Sequence, residues 1–378
     1  MAPRPIKVME IIARMNVGGP AVIVAELMRG LPQLDFEVRL ITGYCDTGEA
    51  DYLETVARDI PAVRIGGLGR SVSPLKDFFS FFTLIREIRA FAPDVIHTHT
   101  AKAGVLGRLA AYLAAPGAVR IHTFHGHLLH GYFNPLITKL VTLTEKLLAS
   151  LTHHLVAVGN QVKDDLINAG IGSEKKFSVF FPGLPEPLKL EKSAARKELG
   201  LSADGVYVTF VGRLTQIKRP DRLLDVAQIL KAKKSSAEIV IVGEGDLFAT
   251  TKQRAERDGL PVKFLGWRSD VAEIFAASEV AILTSDNEGI PLTLIQAAQA
   301  GLPIVATNVG SIHDIVVDGE TGVLTAPNGN ALAAAITGLL ANSKQMHNFG
   351  SAGQARAKEF FSLSRMISDH SHLYKQGK

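Results

Sequence analysis

The sequence predicts an α/β protein built as two doubly wound domains with a cleft between them. Three observations carry that prediction. Short β-branched apolar runs alternate with longer helical patterns along the chain, as parallel sheets covered on both faces require. The alternation breaks once, at the proline-rich and charged stretch FPGLPEPLKLEKS (181–193), and then restarts. The chain has 378 residues, more than a single core usually organises.

The elements follow in order. In the first half, strands are expected at 6–12, 38–44, 94–100, 120–126 and 154–160, with helical stretches such as 20–31 and 103–115 between them. After the linker, strands are expected at 206–214, 237–245, 262–267, 280–285, 303–307 and 322–326. The tail from about Ser343 is helical in pattern and has no following strand to serve. The expected organisation is a first domain over 1–185, a second over 195–355, and a C-terminal helix over 356–378 that crosses back onto the first.

The composition sets limits on function. Hydrophobic residues make up 47% and charged residues 21%, a globular balance, and the net charge of +4 argues against nucleic-acid binding through bulk charge. Cys45 is the single cysteine, so no disulfide or Cys-based zinc site is expected within the chain. No signal peptide or spanning segment is read from the sequence, so a cytoplasmic location with at most peripheral membrane contact is expected. The stretch 74–91 packs Phe78, Phe79, Phe81 and Phe82 into successive turns, too many for one buried stripe. It is a core helix, or it leaves aromatics free for a membrane or lipid acceptor.

In doubly wound sheets ligands bind where strands end, so the chemistry is sought there. Gly18-Gly19-Pro20 follows the first strand and opens a helix, a plain turn or a close approach to an anion or sugar. Arg213 and Lys218 lie five residues apart at a strand–helix junction, where a forked guanidinium and a mobile ammonium can converge on one phosphate. Gly243 and Gly245 flank an acid in IVGEGD after another strand, a common turn or a place where backbone comes close to a bound donor. Glu288 closes a strand, Gly289, Ile290, Pro291 and Leu292 open the next helix, and Gln296 lies just over a turn deeper. His97, His99, His122, His125 and His127 cluster in sequence, but no Asp or Glu accompanies them within their segments, and no metal site is expected. His125 is the best placed to reach a ligand, because Gly126 lets the chain turn away from its ring.

With these pieces placed, the chain resembles a GT-B glycosyltransferase of the large retaining family 4, of the bacterial envelope-glycan type. VGRLTQIKRPDRLLD, IVGEGD, FLGW and SDNEGIPLTLIQAAQAGLPIVATNVGSIHDIV carry the resemblance in the second half, and DVIHTHTAKAGVLGRLAA and HTFHGH in the first. The resemblance implies sugar transfer from a nucleotide diphosphate donor, a UDP- or GDP-sugar, to a lipid-linked or glycan acceptor. Arg213 and Lys218 match the pair that holds the donor diphosphate, Glu288 the acid on the sugar hydroxyls, and His125 a histidine near the reacting sugar. Gly289 to Leu292 match the backbone beside sugar and phosphate. Gly18 and Gly19 match the glycine loop beneath the diphosphate, and Gly266 and Trp267 the segment near the base. No cofactor or metal is implied, and no DxD signature is present.

One position departs from the family pattern of Glu, seven residues, Glu: the second acid, which grips the ribose, is Gln296 here. An amide keeps acceptor and donor capacity but loses the charge, worth about 1 kcal/mol per hydroxyl bond. Two other readings keep the fold: a nucleotide-sugar epimerase or hydrolase, and a non-catalytic nucleotide-sugar-binding protein.

Overall fold

The computed structural model describes residues 4–126 and 135–377. It divides into two compact units, Met1–Gly183 with Leu363–Lys378, and Leu184–Ser362.

The first unit is a seven-stranded sheet, parallel throughout, of β1 (Ile6–Ile12), β2 (Phe36–Thr42), β3 (Ala62–Arg64), β4 (Val95–His99), β5 (Val119–Phe124), β6 (His154–Ala157) and β7 (Phe177–Val179). Its order is β3-β2-β1-β4-β5-β6-β7. The helices are α1 (Gly19–Gly30), α2 (Tyr52–Thr55), α3 (Pro74–Phe91), α4 (Ala101–Ala114), α5 (Pro135–Ser150) and α6 (Asn160–Asn168). The two edge strands β3 and β7, three residues each, were not expected; neither is a continuous apolar run. Period-2 alternation sorts the side chains. Met9, Ile11 and Ile96 pack under α3 and α4, while Val8, Val95, Val119 and Ile121 pack on the opposite side with Leu27 of α1.

The second unit repeats the plan with six parallel strands: β8 (Val206–Val211), β9 (Ala237–Val242), β10 (Val262–Gly266), β11 (Val280–Leu283), β12 (Ile304–Thr307) and β13 (Gly322–Thr325). The order is β10-β9-β8-β11-β12-β13. Its helices are α7 (Lys192–Glu198), α8 (Pro220–Ala232), α9 (Phe248–Arg257), α10 (Val271–Ala276), α11 (Leu292–Gln299), α12 (Ile312–Ile315), α13 (Gly329–Leu340) and α14 (Ser343–Phe360). The expected strands in both units are found, ending one to three residues earlier wherever a glycine or polar loop had been counted in.

The tail differs from the single helix expected over 356–378. It is two helices, α14 in the second unit and α15 (Leu363–Gln376) in the first. The break is at Phe361-Ser362, where Phe361 is buried and its carbonyl accepts from Leu184 N at 3.0 Å. The outgoing and returning chains therefore pair at one point, and residues 356–362 stay with the second unit.

Candidate active site

In the second unit the strand order reverses between β8 and β11, which are hydrogen-bonded neighbours. Ligands of open α/β sheets bind beyond the strand ends at such a point. The loop after β8 carries Arg213 and Lys218, and the loop after β11 carries Glu288. Lys218 Nζ donates to Glu288 Oε1 at 2.5 Å, and Ser285 Oγ donates to the same oxygen at 2.5 Å. The pair is mostly buried, with side-chain exposures of 20% and 11%. Arg213 is exposed, and its side chain has no hydrogen bond or ion pair among the described residues.

Several contacts fix the two loops to each other. Thr284 Oγ1 donates to Lys218 O at 2.8 Å, and Asp286 N to Ile217 O at 2.9 Å. Arg222 reaches up from α8 to the Thr284 carbonyl and to Asp286 Oδ1, the latter at 2.7 Å, and Arg219 Nη1 reaches Asp286 Oδ2 at 3.0 Å. Burial pushes the Asp286 carboxyl up, but Arg222 and Arg219 outweigh it and hold it below its ordinary value. Arg219 itself sits at φ +53° and turns the chain into Pro220 at the start of α8. A third loop, after β12, holds Glu288 from behind: Ser311 N donates to Glu288 O at 3.2 Å. Gly310, at φ +52°, lies so close that a Cβ there would stand 1.9 Å from that carbonyl oxygen. The Ser311 hydroxyl is buried without a hydrogen-bond partner.

The glycine motifs line the same strand ends. Gly212 N donates to Val242 O at 2.9 Å, Leu214 N to Glu244 O at 2.9 Å, and Gly243 N to Gly266 O at 2.7 Å. A Cβ at Gly243 would meet Gly212 O at 2.1 Å, and one at Gly245 would meet Leu214 O at 2.6 Å. Packing between loops thus accounts for these two glycines, where the sequence had suggested room for a ligand. Gly266 turns at φ +67° and leaves Trp267 half exposed. Gly289, Ile290 and Pro291 lead into α11, whose first turn has no side-chain cap, and Gln296 is part-buried one turn on.

In the first unit Gly18 is extended at φ 167°, and a Cβ there would find its nearest neighbour at 3.8 Å. The turn does not itself demand glycine at 18. Thr100, between β4 and α4, holds a left-handed φ of +67°, a strained setting for a threonine and one the sequence did not signal.

The histidines separate by strand face. His122 points toward α4 and accepts from or donates to Thr98 Oγ1 at 2.8 Å. His97, His99 and His125 lie on the other face, together with a residue the sequence reading missed. Glu10 of β1 is fully buried, with His99 Nε2 at 2.7 Å from its Oε2 and Tyr374 of α15 donating to its Oε1 at 2.9 Å. Register decides this, since Glu10 lies opposite His97 in the β1–β4 ladder. His127 lies outside the described residues.

Glu10, His97 and His99 are the one group with metal-ligand potential among the described residues. His99 Nε2 stands at hydrogen-bond distance from Glu10 Oε2, at 2.7 Å, and His97 Nδ1 lies 3.5 Å from the same oxygen. Burial pushes the Glu10 carboxyl up, but His97 and His99 pull it below the usual carboxylate range. Burial also keeps the histidines neutral: His99 and His370 are lowered to about 4, and His97, His122 and His125 are lowered too.

Comparison with known proteins agrees with this architecture. A family model described as glycosyl transferases group 1 matches residues 191–356, and one described as Glycosyltransferase Family 4 matches residues 17–185. The chain is 31% identical over 308 residues to the UDP-Gal:alpha-D-GlcNAc-diphosphoundecaprenol alpha-1,3-galactosyltransferase of Escherichia coli, covering 78% of this chain and 77% of that protein. It is 24% identical to the capsular polysaccharide biosynthesis glycosyltransferase CapM of Staphylococcus aureus, over 81% of this chain and 82% of the relative. The crystal structure of Anabaena Alr3699/HepE in complex with UDP superposes with a TM-score of 0.83 at 21% identity, over 98% of this chain and 100% of that one, a likeness of fold. With a glycosyltransferase family model on each half and the E. coli relative aligned across most of both sequences, this chain belongs to the GT-B glycosyltransferases related to family 4 and group 1.

Proposed function

We propose that the protein transfers a sugar, with retention at the anomeric carbon, from a UDP- or GDP-sugar to a lipid-linked or glycan acceptor in polysaccharide or glycolipid assembly. The observation that carries this is the switch point of the second unit. There an exposed Arg213, the Lys218–Glu288 pair and the uncapped start of α11 sit on adjacent strand ends.

The chemistry follows from charge. Breaking the bond between sugar and phosphate loads negative charge onto the departing diphosphate. Cations and helix N–H groups aimed there favour the transition state over the ground state. Arg213 supplies a charge not yet committed to a partner. Lys218 supplies one that is shared with Glu288, so the acid is neutralised locally and does not repel the incoming diphosphate. Glu288, held by Ser285 and Ser311, accepts hydrogen bonds from sugar hydroxyls. Of the two donor nucleotides, UDP is favoured, because the 31% identical relative bears UDP-Gal in its name; that name also points to a polyprenyl diphosphate acceptor.

A lipid acceptor fits the surface of the first unit. Phe78, Phe79 and Phe82 of α3 are exposed, as the crowding of aromatics had suggested. The sequence reading missed a second stripe: Leu136, Leu140, Leu143 and Leu147 on α5 are exposed at helical spacing, with Lys139 and Lys146 exposed beside them. No helix among the described residues is long and apolar enough to cross a membrane. An apolar stripe flanked by lysines suits shallow seating on an anionic bilayer.

The test is incubation with UDP-glucose, UDP-galactose, GDP-mannose and an undecaprenyl diphosphate sugar acceptor, with the product's anomeric configuration read by NMR. An α-linked product is expected. A β-linked product would overturn retention. Nucleotide release with no acceptor product would turn the reading toward a hydrolase.

A further inference from the structure

Three neighbouring strands of the second unit end in three different chemistries. The order at this edge of the sheet is β10-β9-β8, with about 4.8 Å from one strand to the next. Beyond β10 stands Trp267, the single tryptophan of the chain, half exposed. Beyond β9 stands Glu244, and beyond β8 stands Arg213, both exposed. Val211 pairs with Val242, so Arg213 and Glu244 each lie two residues past the last rung of the ladder between their strands. Opposite charges at facing positions attract. Yet neither side chain has a hydrogen bond or ion pair among the described residues.

The backbone under Glu244 is fixed on both sides. Leu214 N donates to its carbonyl at 2.9 Å, and Gly243 N donates to Gly266 O at 2.7 Å. The flanking Gly243 and Gly245, at φ +127° and +152°, run against the loop after β8. The side chain is carried toward β10: a Cβ at Gly266 would stand 3.6 Å from Glu244 Oε1. The carboxylate therefore lies beside the turn that leads into Trp267, clear of Arg213.

A nucleoside diphosphate presents a matching series in one molecule: the flat face of a base, the two hydroxyls of a ribose, and the charge of a diphosphate. An aromatic ring stacks on the first, and a guanidinium forks onto the last. A carboxylate only accepts, so of the three it suits the hydroxyls and would repel the diphosphate.

We propose that Glu244 accepts hydrogen bonds from the ribose hydroxyls of the nucleotide donor. This deepens the function proposed above and rests on it for the identity of the ligand. Gln296 carries no charge, so Glu244 supplies from β9 the charge that the amide lacks.

The test is calorimetric titration of the full chain with UDP and GDP, each beside its 2′,3′-dideoxy analogue, which keeps base and diphosphate and lacks both hydroxyls. Glu244→Gln preserves the shape of an exposed side chain and should leave the melting temperature unchanged. For whichever nucleotide the wild type binds, the variant should bind about fivefold more weakly, the gap between a charged and a neutral acceptor, while the affinity for the dideoxy analogue changes by less than about twofold. Unchanged binding of the parent nucleotide, or an equal change for parent and analogue, overturns the proposal and leaves the donor reading standing. Tighter binding of both, the sign of relieved repulsion from the diphosphate, does the same. A wild type that binds neither UDP nor GDP overturns the donor reading, and the ribose contact with it.

Discussion

Lys218 and Glu288, seventy residues apart in sequence, meet at 2.5 Å across the β8–β11 switch point. The sequence suggests a phosphate ligand in the lysine and a sugar ligand in the glutamate, each alone. The structure makes them one unit, with Ser285 as a second donor to the same carboxylate oxygen.

The two cations should therefore respond differently to removal. Arg213→Ala should lower kcat on the order of a hundredfold, about 3 kcal/mol of transition-state stabilisation, and leave the melting temperature unchanged, since the side chain touches nothing that holds the fold. Lys218→Ala should lose at least as much activity and also destabilise the folded state, because it leaves a mostly buried carboxylate without its counter-ion. Steady-state rates and thermal melts of both variants check this. Equal melting temperatures for the two would show that the pair contributes nothing to stability.

Gly310 and Gly319 share a left-handed φ, +52° and +75°, but differ in their surroundings. A Cβ at Gly310 would collide with the Glu288 carbonyl, whereas one at Gly319 meets nothing within 4 Å. Both alanine variants should be destabilised by about 1 kcal/mol of backbone strain. Only Gly310→Ala should also cost activity, tenfold or more, by displacing Glu288. Assaying both at a temperature where each remains folded separates strain from position.

Stability should fall at acid pH through the buried histidines. Their folded pKa values lie below the ordinary 6.5, at about 4 for His99 and His370, so below pH 6.5 the unfolded chain binds protons that the native chain refuses. This stability is complete above pH 6.5 and is lost as pH falls toward 4. Each such histidine costs about 1.4 kcal/mol per pH unit in that window. Glu10, held below its ordinary value, adds loss in the same direction at the acid end. Melting curves from pH 8 to 4.5 should be flat above 7 and steep below 6, and His370→Gln should make the slope shallower.

Leu140→Asp combined with Leu143→Asp should leave the fold intact, as both side chains are exposed. Sedimentation with vesicles of phosphatidylglycerol should then drop at least fivefold from the wild-type level. Vesicles of phosphatidylcholine alone should bind the wild type weakly, because the lysines beside the stripe need anionic lipid. Equal binding of wild type and variant to the anionic vesicles would remove α5 from the membrane contact.

Gln296→Glu restores the charge found at this position in the family pattern. UDP affinity should rise about fivefold, from about 1 kcal/mol gained on a charged hydrogen bond, with kcat little changed. Calorimetric titration with UDP measures the first and steady-state kinetics the second.

Much of this was legible in the chain. Doubly buried strands read as unbroken apolar runs, so nearly every central strand could be placed. Loop chemistry singled out Arg213, Lys218 and Glu288, which the structure brings to neighbouring strand ends of the second unit. The three-residue edge strands β3 and β7 were not visible, since a strand that short carries no periodic signal. Glu10 was hidden because a single acid in an apolar strand has no meaning until register sets it against His97. The leucine stripe of α5 is written in the sequence as a spacing of four, three and four, a helical pattern that marks one face.

The sequence by itself determined the two doubly wound units and the glycine-bearing polar loops at their strand ends, because burial on both faces and glycine at strand ends are local requirements. Tertiary structure alone decided which groups become partners. Strand order brought Lys218 to Glu288, register brought Glu10 to His99, and the return of α15 placed Tyr374 over both oxygen and imidazole. Pairing across scores of residues depends on distances of a few ångströms, and no local pattern encodes those.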